Sequence, residues 1–400
     1  MLSLIKDERK ALLLIVLIGI ALRLSIVMLA PVWSGPDEPS HYTYIQHIAE
    51  KGEIPYAPEE GDAGLLNVTG QNPPLFHIIG AVFYIINGGV QWLRLESLLF
   101  GVACILLTFL IASELSKNRL VRLGSAAFIA LLPTHIVLSS TINNETALYT
   151  FVLLSILFML KAVKSSYTGK HVLLSGLFFG LAFATRFNAA ILGLPWLVVL
   201  FHYFTNNFSL KKVLAILPAG FIAFIVLFGN YLAYGKLFPF RELHPSTLDL
   251  GIVTYFIPRV FAGYWLQEYA IATIPDFKFT IFLLLGLVLL AAVISIARDL
   301  RKVLGWASEK QTMLLILALT VVANICLFVF QNIFYYEPDA RLLYPTVSII
   351  AIGVMYGLSK LQGRKRMLGI FALFVLMTLL DLLLIINYNT TLPSVPWPLP

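Results

Sequence analysis

Two adjacent carboxylates, Asp37 and Glu38, follow the first apolar run of the chain in the segment Ser34-Gly35-Pro36-Asp37-Glu38-Pro39-Ser40-His41-Tyr42. Pro39 suits the first turn of a helix, because its missing N–H would have no partner there. Gly52 suits the left-handed residue that ends a helix. The pattern therefore predicts a short helix over residues 39–51, with both carboxylates at its N-terminus.

Two effects act on these carboxylates in opposite directions. The exposed N–H groups and the helix dipole favour the ionised form, whereas two like charges side by side raise one of the two pKa values. A carboxylate held between these effects suits a general base. The alternative is a solvated helix cap, a common role for an Asp that precedes a helix.

The composition indicates a membrane protein. Of 400 residues, 59% are hydrophobic and 12% charged, and the mean hydropathy is +0.87, more apolar side chain than a soluble core could bury. We therefore predict an all-α polytopic membrane protein. The net charge of +7 does not indicate nucleic-acid binding, because the basic residues form short clusters between apolar runs, as membrane topology requires.

Eleven apolar runs are long enough to cross a hydrocarbon layer of roughly 30 Å. They cover residues 11–30, 97–115, 120–138, 147–163, 172–185, 189–204, 213–233, 279–297, 313–334, 342–359 and 367–387. The shorter run Leu75–Ile86 is interpreted as an interfacial or re-entrant helix. If this helix does not cross the membrane, every tight cluster of basic residues falls on the same face of the membrane. If it is counted as a span, the clusters after the first fall on the opposite face.

This topology predicts a plasma-membrane protein with a cytoplasmic N-terminus and one domain over residues 1–400. Its long outer loops cover residues 31–96 and 234–278. Polar residues gather at the outer face, each at the mouth of a span. They are Asp37, Glu38 and His41, then Asn143, Asn144 and Glu145, then Arg186 and Asn188, then Arg241, Glu242 and His244, and finally Glu337, Asp339 and Arg341.

Taken singly, most of these residues have a structural explanation. Arg341 and Arg186 suit snorkelling anchors at span ends, and Glu145 suits the dipole of the helix that it opens. Arg23 lies within the first span and must snorkel or find an acidic partner, so we expect a structural pairing near the outer surface. For Asp381 in the last span we expect only a hydrogen-bonded helix contact.

Four separated landmarks resemble the GT-C class of polytopic glycosyltransferases, which use polyprenyl-phosphate sugars and include protein O-mannosyltransferases and lipid A aminoarabinose transferases. The first is an arginine-bearing span followed by Asp37-Glu38-x-x-His41. The second is Gln71-Asn72-Pro73-Pro74-Leu75. The third is Pro133 with Asn143-Asn144-Glu145, followed by Thr185-Arg186-Phe187-Asn188. The fourth is Glu337-x-x-x-Arg341-Leu-Leu-Tyr344-Pro345. Asn72 departs from the His or Lys that the class often has before the proline pair.

The resemblance implies a role for several of these residues. Asp37 would be the base, with Glu38 beside it, Glu145 would assist, and Arg341 would hold the lipid phosphate. Separately from the resemblance, we predict that substrate is bound by His41, Asn144, Arg186, Asn188, Arg241, Glu337 and Tyr344. No metal site is predicted; a divalent cation between Asp37 or Glu38 and the phosphate is compatible with the chemistry but not required.

The implied partners are a polyprenyl-phosphate-linked sugar, membrane lipid and a protein, glycan or lipid acceptor, with no nucleic acid. The sugar would be transferred with inversion at the outer face. The alternatives are a secondary transporter or glycolipid flippase, and a non-catalytic subunit that binds a glycolipid. The sequence carries no repeated halves, which transporters often have.

Overall fold

The computed structural model describes residues 7–55, 72–205, 209–238, 250–266, 278–304, 308–335 and 339–390, and within these ranges the ordered elements are all helical. The α-helices are α1 Glu8–Leu29, α2 Glu38–Lys51, α3 Leu75–Ile86, α4 Val90–Leu115, α5 Arg119–Ala130, α6 Pro133–Leu138, α7 Glu145–Lys164, α8 Gly169–Thr185, α9 Gly193–Thr205, α10 Leu210–Val213, α11 Leu217–Tyr234, α12 Leu250–Trp265, α13 Lys278–Leu304, α14 Ser308–Tyr335, α15 Val347–Lys360 and α16 Gly363–Thr390. Phe187–Leu192 and Ala340–Thr346 form 3-10 helices.

Nine helical stretches within the described ranges are long and apolar enough to cross a membrane. They are Glu8–Leu29, Val90–Leu115, Glu145–Lys164, Phe187–Thr205, Leu217–Tyr234, Phe279–Arg298, Ser308–Ile333, Ala340–Lys360 and Gly363–Tyr388. The prediction of an all-α, multi-pass membrane protein is confirmed. The number of eleven spans, their orientation and the single-domain assignment stay predictions.

The helices of the first outer loop have nearly the predicted bounds. α2 begins at Glu38 and ends at Lys51, followed by Gly52, whose φ of 70° is left-handed, and α3 covers the predicted run Leu75–Ile86. The two helices pack against each other around buried Ile45 and Phe76. α4 begins at Val90, before the predicted first residue of the next span at residue 97, and the position at which this loop meets the membrane stays a prediction.

The predicted span 120–138 is broken in the structure. α5 ends at Ala130 and α6 begins at Pro133, because a proline has no N–H to continue the helical ladder. Arg23, fully buried in α1, donates to the freed carbonyls of Ile129 and Ala130, both at 3.2 Å. Its pairing is therefore structural, as expected, but the hydrogen-bond acceptors are carbonyls, Ser139 and His135 rather than a carboxylate.

A helix that the sequence did not predict, α12, lies within residues 234–278, the predicted second outer loop. It packs against α6 and the 3-10 helix Ala340–Thr346. Trp265 at its end is fully buried, with its ring 6.0 Å from that of Phe128. Thr134 donates to the carbonyl of Gly263 at 3.0 Å. These contacts fix α12 beside the stretch that carries Arg341.

Candidate functional site

Asp37 ends the connection between α1 and α2 and adopts a left-handed conformation, with φ 55°. Asp tolerates this region better than most residues, and such strain is common at functional sites. Its side chain is 36% exposed, and one carboxylate oxygen, Oδ2, lies 3.0 Å from Nη1 of Arg341. A partly open carboxylate thus faces a guanidinium from a distant part of the chain.

The neighbouring carboxylate, Glu38, points elsewhere and is fully buried. Arg94 of α4, also fully buried, binds it bidentately at 2.7 and 2.8 Å, and the backbone N–H of Ile142 donates to the same carboxylate at 3.0 Å. Arg94 also donates to the carbonyls of Val27, Ala30 and Pro31, where α1 ends. Glu38 therefore holds α1, α2 and α4 together, and its geometry fits a positioning residue better than the catalytic role predicted for it.

Arg341 is held by its own segment as well as by Asp37. Its Nε lies 2.8 Å from Oδ2 of Asp339, and its backbone N–H donates to Oδ1 of the same residue at 2.9 Å. Its carbonyl accepts from the Tyr149 hydroxyl of α7 at 3.0 Å. The guanidinium therefore bridges two carboxylates on a fixed backbone.

A second ion pair joins Glu145, at the start of α7, to Arg186, at the end of α8, with Nη1 and Oε1 2.5 Å apart. Glu145 is fully buried, whereas 18% of the Arg186 side chain is exposed. Arg186 also donates to the side-chain oxygen of Asn144 at 3.3 Å. Arg341 and Asp339 lie close enough to act electrostatically on Glu145, so the two ion pairs belong to one site.

Two histidines adjoin this site. Nδ1 of His41 on α2 lies 3.0 Å from Nε2 of His77 on α3, and the Tyr44 ring stacks on His77 with centroids 3.9 Å apart. Burial, together with the charges of Arg186 and Arg341, lowers the pKa of His41 to about 3. Burial also places the pKa of His77 well below its usual value. Both rings are therefore neutral near pH 7.

The other predicted substrate-binding residues have different surroundings. Asn188 accepts a hydrogen bond from Gln331 at 3.4 Å. Tyr344 is fully buried, and its hydroxyl donates to the carbonyl of Tyr264 at 2.5 Å. This hydrogen bond joins the 3-10 helix that carries Arg341 to α12. Arg241 and Glu337 lie outside the described residues. We refer to Asp37, Asp339, Arg341, Asn144, Glu145 and Arg186 together as the candidate site.

Sequence reasoning missed Arg94 and His77. The signal for Arg94 was present, because an arginine in the first turns of a long apolar helix needs a buried acceptor. His77 gave no such signal, since a single histidine in a short apolar helix has no distinctive spacing. Among the described residues, no group of three or more His, Cys, Asp or Glu side chains is arranged to hold a metal ion.

Comparison with known proteins agrees with this architecture. Residues 71–232 match the family model described as dolichyl-phosphate-mannose-protein mannosyltransferase. That match includes Glu145 and Arg186 but neither Asp37 nor Arg341. No curated protein sequence matches the chain.

Solved structures share the fold. ArnT from Cupriavidus metallidurans in the apo state has a TM-score of 0.55 at 16% identity, over 88% of this chain and 60% of that one. The same protein bound to undecaprenyl phosphate gives 0.54, with the same identity and coverage. The archaeal oligosaccharyltransferase AglB from Archaeoglobus fulgidus, in complex with an inhibitory peptide and a dolichol-phosphate, gives 0.54 at 13% identity, over 96% of this chain and 56% of that one.

The present chain thus spans about 60% of the length of ArnT. At these identities the structural likeness shows the fold alone. The predicted resemblance to the GT-C class is confirmed by the family match over residues 71–232 and by the shared fold.

Proposed function

We propose that this protein transfers a sugar from a polyprenyl-phosphate donor to an acceptor hydroxyl at the outer face of the plasma membrane. The observation that carries the proposal is the convergence of two carboxylate–guanidinium pairs, Asp37 with Arg341 and Glu145 with Arg186, at the ends of apolar helices. Such a donor keeps its tail in hydrocarbon and offers its anomeric carbon at the surface, where these side chains lie.

Asp37 is the base of the proposed reaction. Of the two adjacent carboxylates, only Asp37 is partly exposed, whereas Glu38 is fully occupied by Arg94 and Ile142. The acceptor oxygen forms a bond to the anomeric carbon while the bond from that carbon to the phosphate oxygen breaks. The acceptor proton goes to Asp37, and a direct displacement of this kind inverts the anomeric centre.

Arg341 holds the phosphate. A phosphodiester carries one negative charge, and the phosphate monoester that leaves carries close to two, so positive charge near it stabilises the transition state more than the ground state. The planar guanidinium suits phosphate oxygens. Because Asp339 keeps Arg341 in place, an incoming phosphate displaces Asp37 from Arg341 and frees the base.

Arg186 supplies the second positive charge. Its partner Glu145 is buried at the start of α7, and Asn144 fixes the guanidinium from the same turn. The partly exposed Arg186 side chain meets the donor phosphate or the sugar in the proposed reaction. A protein, glycan or lipid would supply the acceptor hydroxyl.

The test is turnover by purified protein in lipid nanodiscs. Wild type and Asp37→Asn are incubated with a panel of polyprenyl-phosphate sugars and hydroxyl acceptors, and released polyprenyl phosphate is measured. Asn keeps the left-handed backbone, so we expect Asp37→Asn to fold normally and lose about 10²- to 10⁴-fold in rate. Glu50→Gln on the exposed end of α2 is the control and should turn over like wild type.

Near-normal turnover by Asp37→Asn would remove Asp37 as the base. An intact donor that merely crosses the bilayer would identify the protein as a flippase. The same assay with a chelator decides whether a divalent cation takes part in the reaction.

A further inference from the structure

An apolar groove lies between α14 and α15, at the helix ends opposite the candidate site. α15 packs against α5 and α13 and leaves a cavity of about 600 Å³ beside α14. Leu317 and Val321 of α14 form one wall, and Ile349 and Tyr356 of α15 form the other. Its walls are almost entirely apolar, so an apolar occupant is favoured there.

The dimensions of the groove fit one fatty acyl chain. Its lining on α14 runs from Lys310 to Val322, a distance of about 18 Å at 1.5 Å per residue. This is more than half of a hydrocarbon layer roughly 30 Å thick. The groove therefore extends from the membrane surface toward the middle of the bilayer.

Lysines lie at one end of the groove, which we call its mouth. Lys310 lines it in the first turn of α14, and Ser116 lines it just before Lys117. The Lys360 ammonium lies 4.7 Å from the centroid of the Tyr356 ring. Glu114, which precedes the lining residue Leu115, is bound by Lys164 at 2.7 Å, and Glu309 lies beside Lys310 in the sequence. Lys117, Lys310 and Lys360 outnumber Glu309 at this end of the groove, which favours an anionic headgroup.

We propose that this groove binds an anionic phospholipid, with one acyl chain between α14 and α15 and the phosphate at Lys310 and Lys360. The site is distinct from the proposed donor site. α15 has 14 residues, so Lys360 lies about 20 Å along the helix from its first residue, and Arg341 precedes that end. The predicted topology puts the mouth at the cytoplasmic leaflet, where anionic lipids are common.

The test is native mass spectrometry of the purified full chain with equimolar phosphatidylglycerol and phosphatidylcholine of the same acyl chains. Gly353 lines the groove, and a Cβ built there meets nothing within 4 Å, so Gly353→Leu fills the groove without a clash. Gly220→Leu on α11 is the matched control, because a Cβ there also meets nothing within 4 Å.

We expect wild type and Gly220→Leu to retain phosphatidylglycerol at least tenfold over phosphatidylcholine. Gly353→Leu should lose the adduct, and Lys310→Gln should bring the ratio of the two lipids toward one. Unchanged retention by Gly353→Leu would overturn the groove as the site, and equal retention of both lipids by wild type would overturn the headgroup assignment.

Displacement of phosphatidylglycerol by equimolar polyprenyl phosphate would identify the occupant as the donor lipid. Asp37→Asn should bind phosphatidylglycerol like wild type, so this outcome is independent of the transfer assay.

Discussion

Nη1 of Arg341 lies 3.0 Å from Oδ2 of Asp37, although the two residues are 304 positions apart. The contact joins the connection between α1 and α2 to the segment that precedes α15. In the proposed reaction it keeps the base and the phosphate-binding group neutralised by each other until the donor arrives. Donor binding and activation of the base are therefore one event.

The first prediction concerns Arg341→Lys and Arg341→Gln. Arg341→Lys keeps the charge but loses the planar fork that spans Asp37, Asp339 and phosphate. We expect the affinity for polyprenyl phosphate to fall about 10-fold in Arg341→Lys and about 100-fold in Arg341→Gln, as for lost hydrogen bonds to charged groups. Isothermal titration in detergent measures both.

Arg122→Lys is the matched control, because Arg122 also binds a carboxylate bidentately, that of Glu8, at the opposite helix ends. Its affinity for polyprenyl phosphate should equal that of wild type. Wild-type affinity in Arg341→Gln would contradict the assignment of Arg341 to the phosphate.

The second prediction concerns the pair Glu145 and Arg186. Nη1 of Arg186 and Oε1 of Glu145 lie 2.5 Å apart, so each side chain orients the other. Glu145→Gln and Arg186→Gln should therefore each lower the rate of transfer about 10- to 100-fold. The double variant should be only slightly slower than either single variant, with a coupling of about 1–3 kcal/mol in the transition-state free energy. The measurement is kcat/KM for wild type, the two single variants and the double variant. If the losses in transition-state free energy of the single variants add up to that of the double variant, the two residues act separately.

The third prediction concerns Glu38. Breaking a buried ion pair from one side leaves the other charge uncompensated, so Glu38→Gln should lower the free energy of unfolding by about 3–5 kcal/mol. Glu38→Leu with Arg94→Met should recover part of this loss but not the turnover, because Asp37 would no longer be fixed. Thermal unfolding and kcat in detergent distinguish the two effects. Wild-type kcat in a folded double variant would contradict a positioning role.

The sequence was informative where the signal is local. Pro39 and Gly52 predicted α2 nearly to the residue. The landmarks named both Asp37 and Arg341, which are in contact in the structure, whereas the roles assigned to them stay predictions. The different surroundings of Asp37 and Glu38 could not be predicted, because the burial of Glu38 depends on Arg94, which is 56 positions away in the sequence. The break before Pro133 could not be predicted for a similar reason. A single proline inside an apolar run can either kink a helix or end it. The structure shows that the helix ends, because Arg23, a distant residue, donates to the carbonyls that the break leaves free.

The last prediction concerns the pH dependence of stability caused by the His41–His77 pair. Burial lowers the pKa of His41 to about 3 in the folded protein and that of His77 well below its usual value. In the unfolded chain both titrate near pH 6.5. Between these values the unfolded state binds more protons than the folded state, so stability falls as the pH falls below about 6.5. Above that pH both rings are neutral in the folded and in the unfolded state, so they contribute no pH dependence to the stability.

The size of the effect follows from linkage. Each histidine contributes a slope of up to about 1.4 kcal/mol per pH unit on the acid side of pH 6.5. The double variant His41→Gln with His77→Gln lacks both titrating rings but keeps hydrogen-bonding side chains, so its unfolding temperature should fall less steeply from pH 6.5 to pH 5. Differential scanning calorimetry of both proteins in the same detergent gives the two slopes. Their difference isolates the histidines, because the carboxylates are common to both proteins. Equal slopes would mean that the rings bind protons equally well in the folded and unfolded states, and the lowered pKa values inferred from their burial would be wrong.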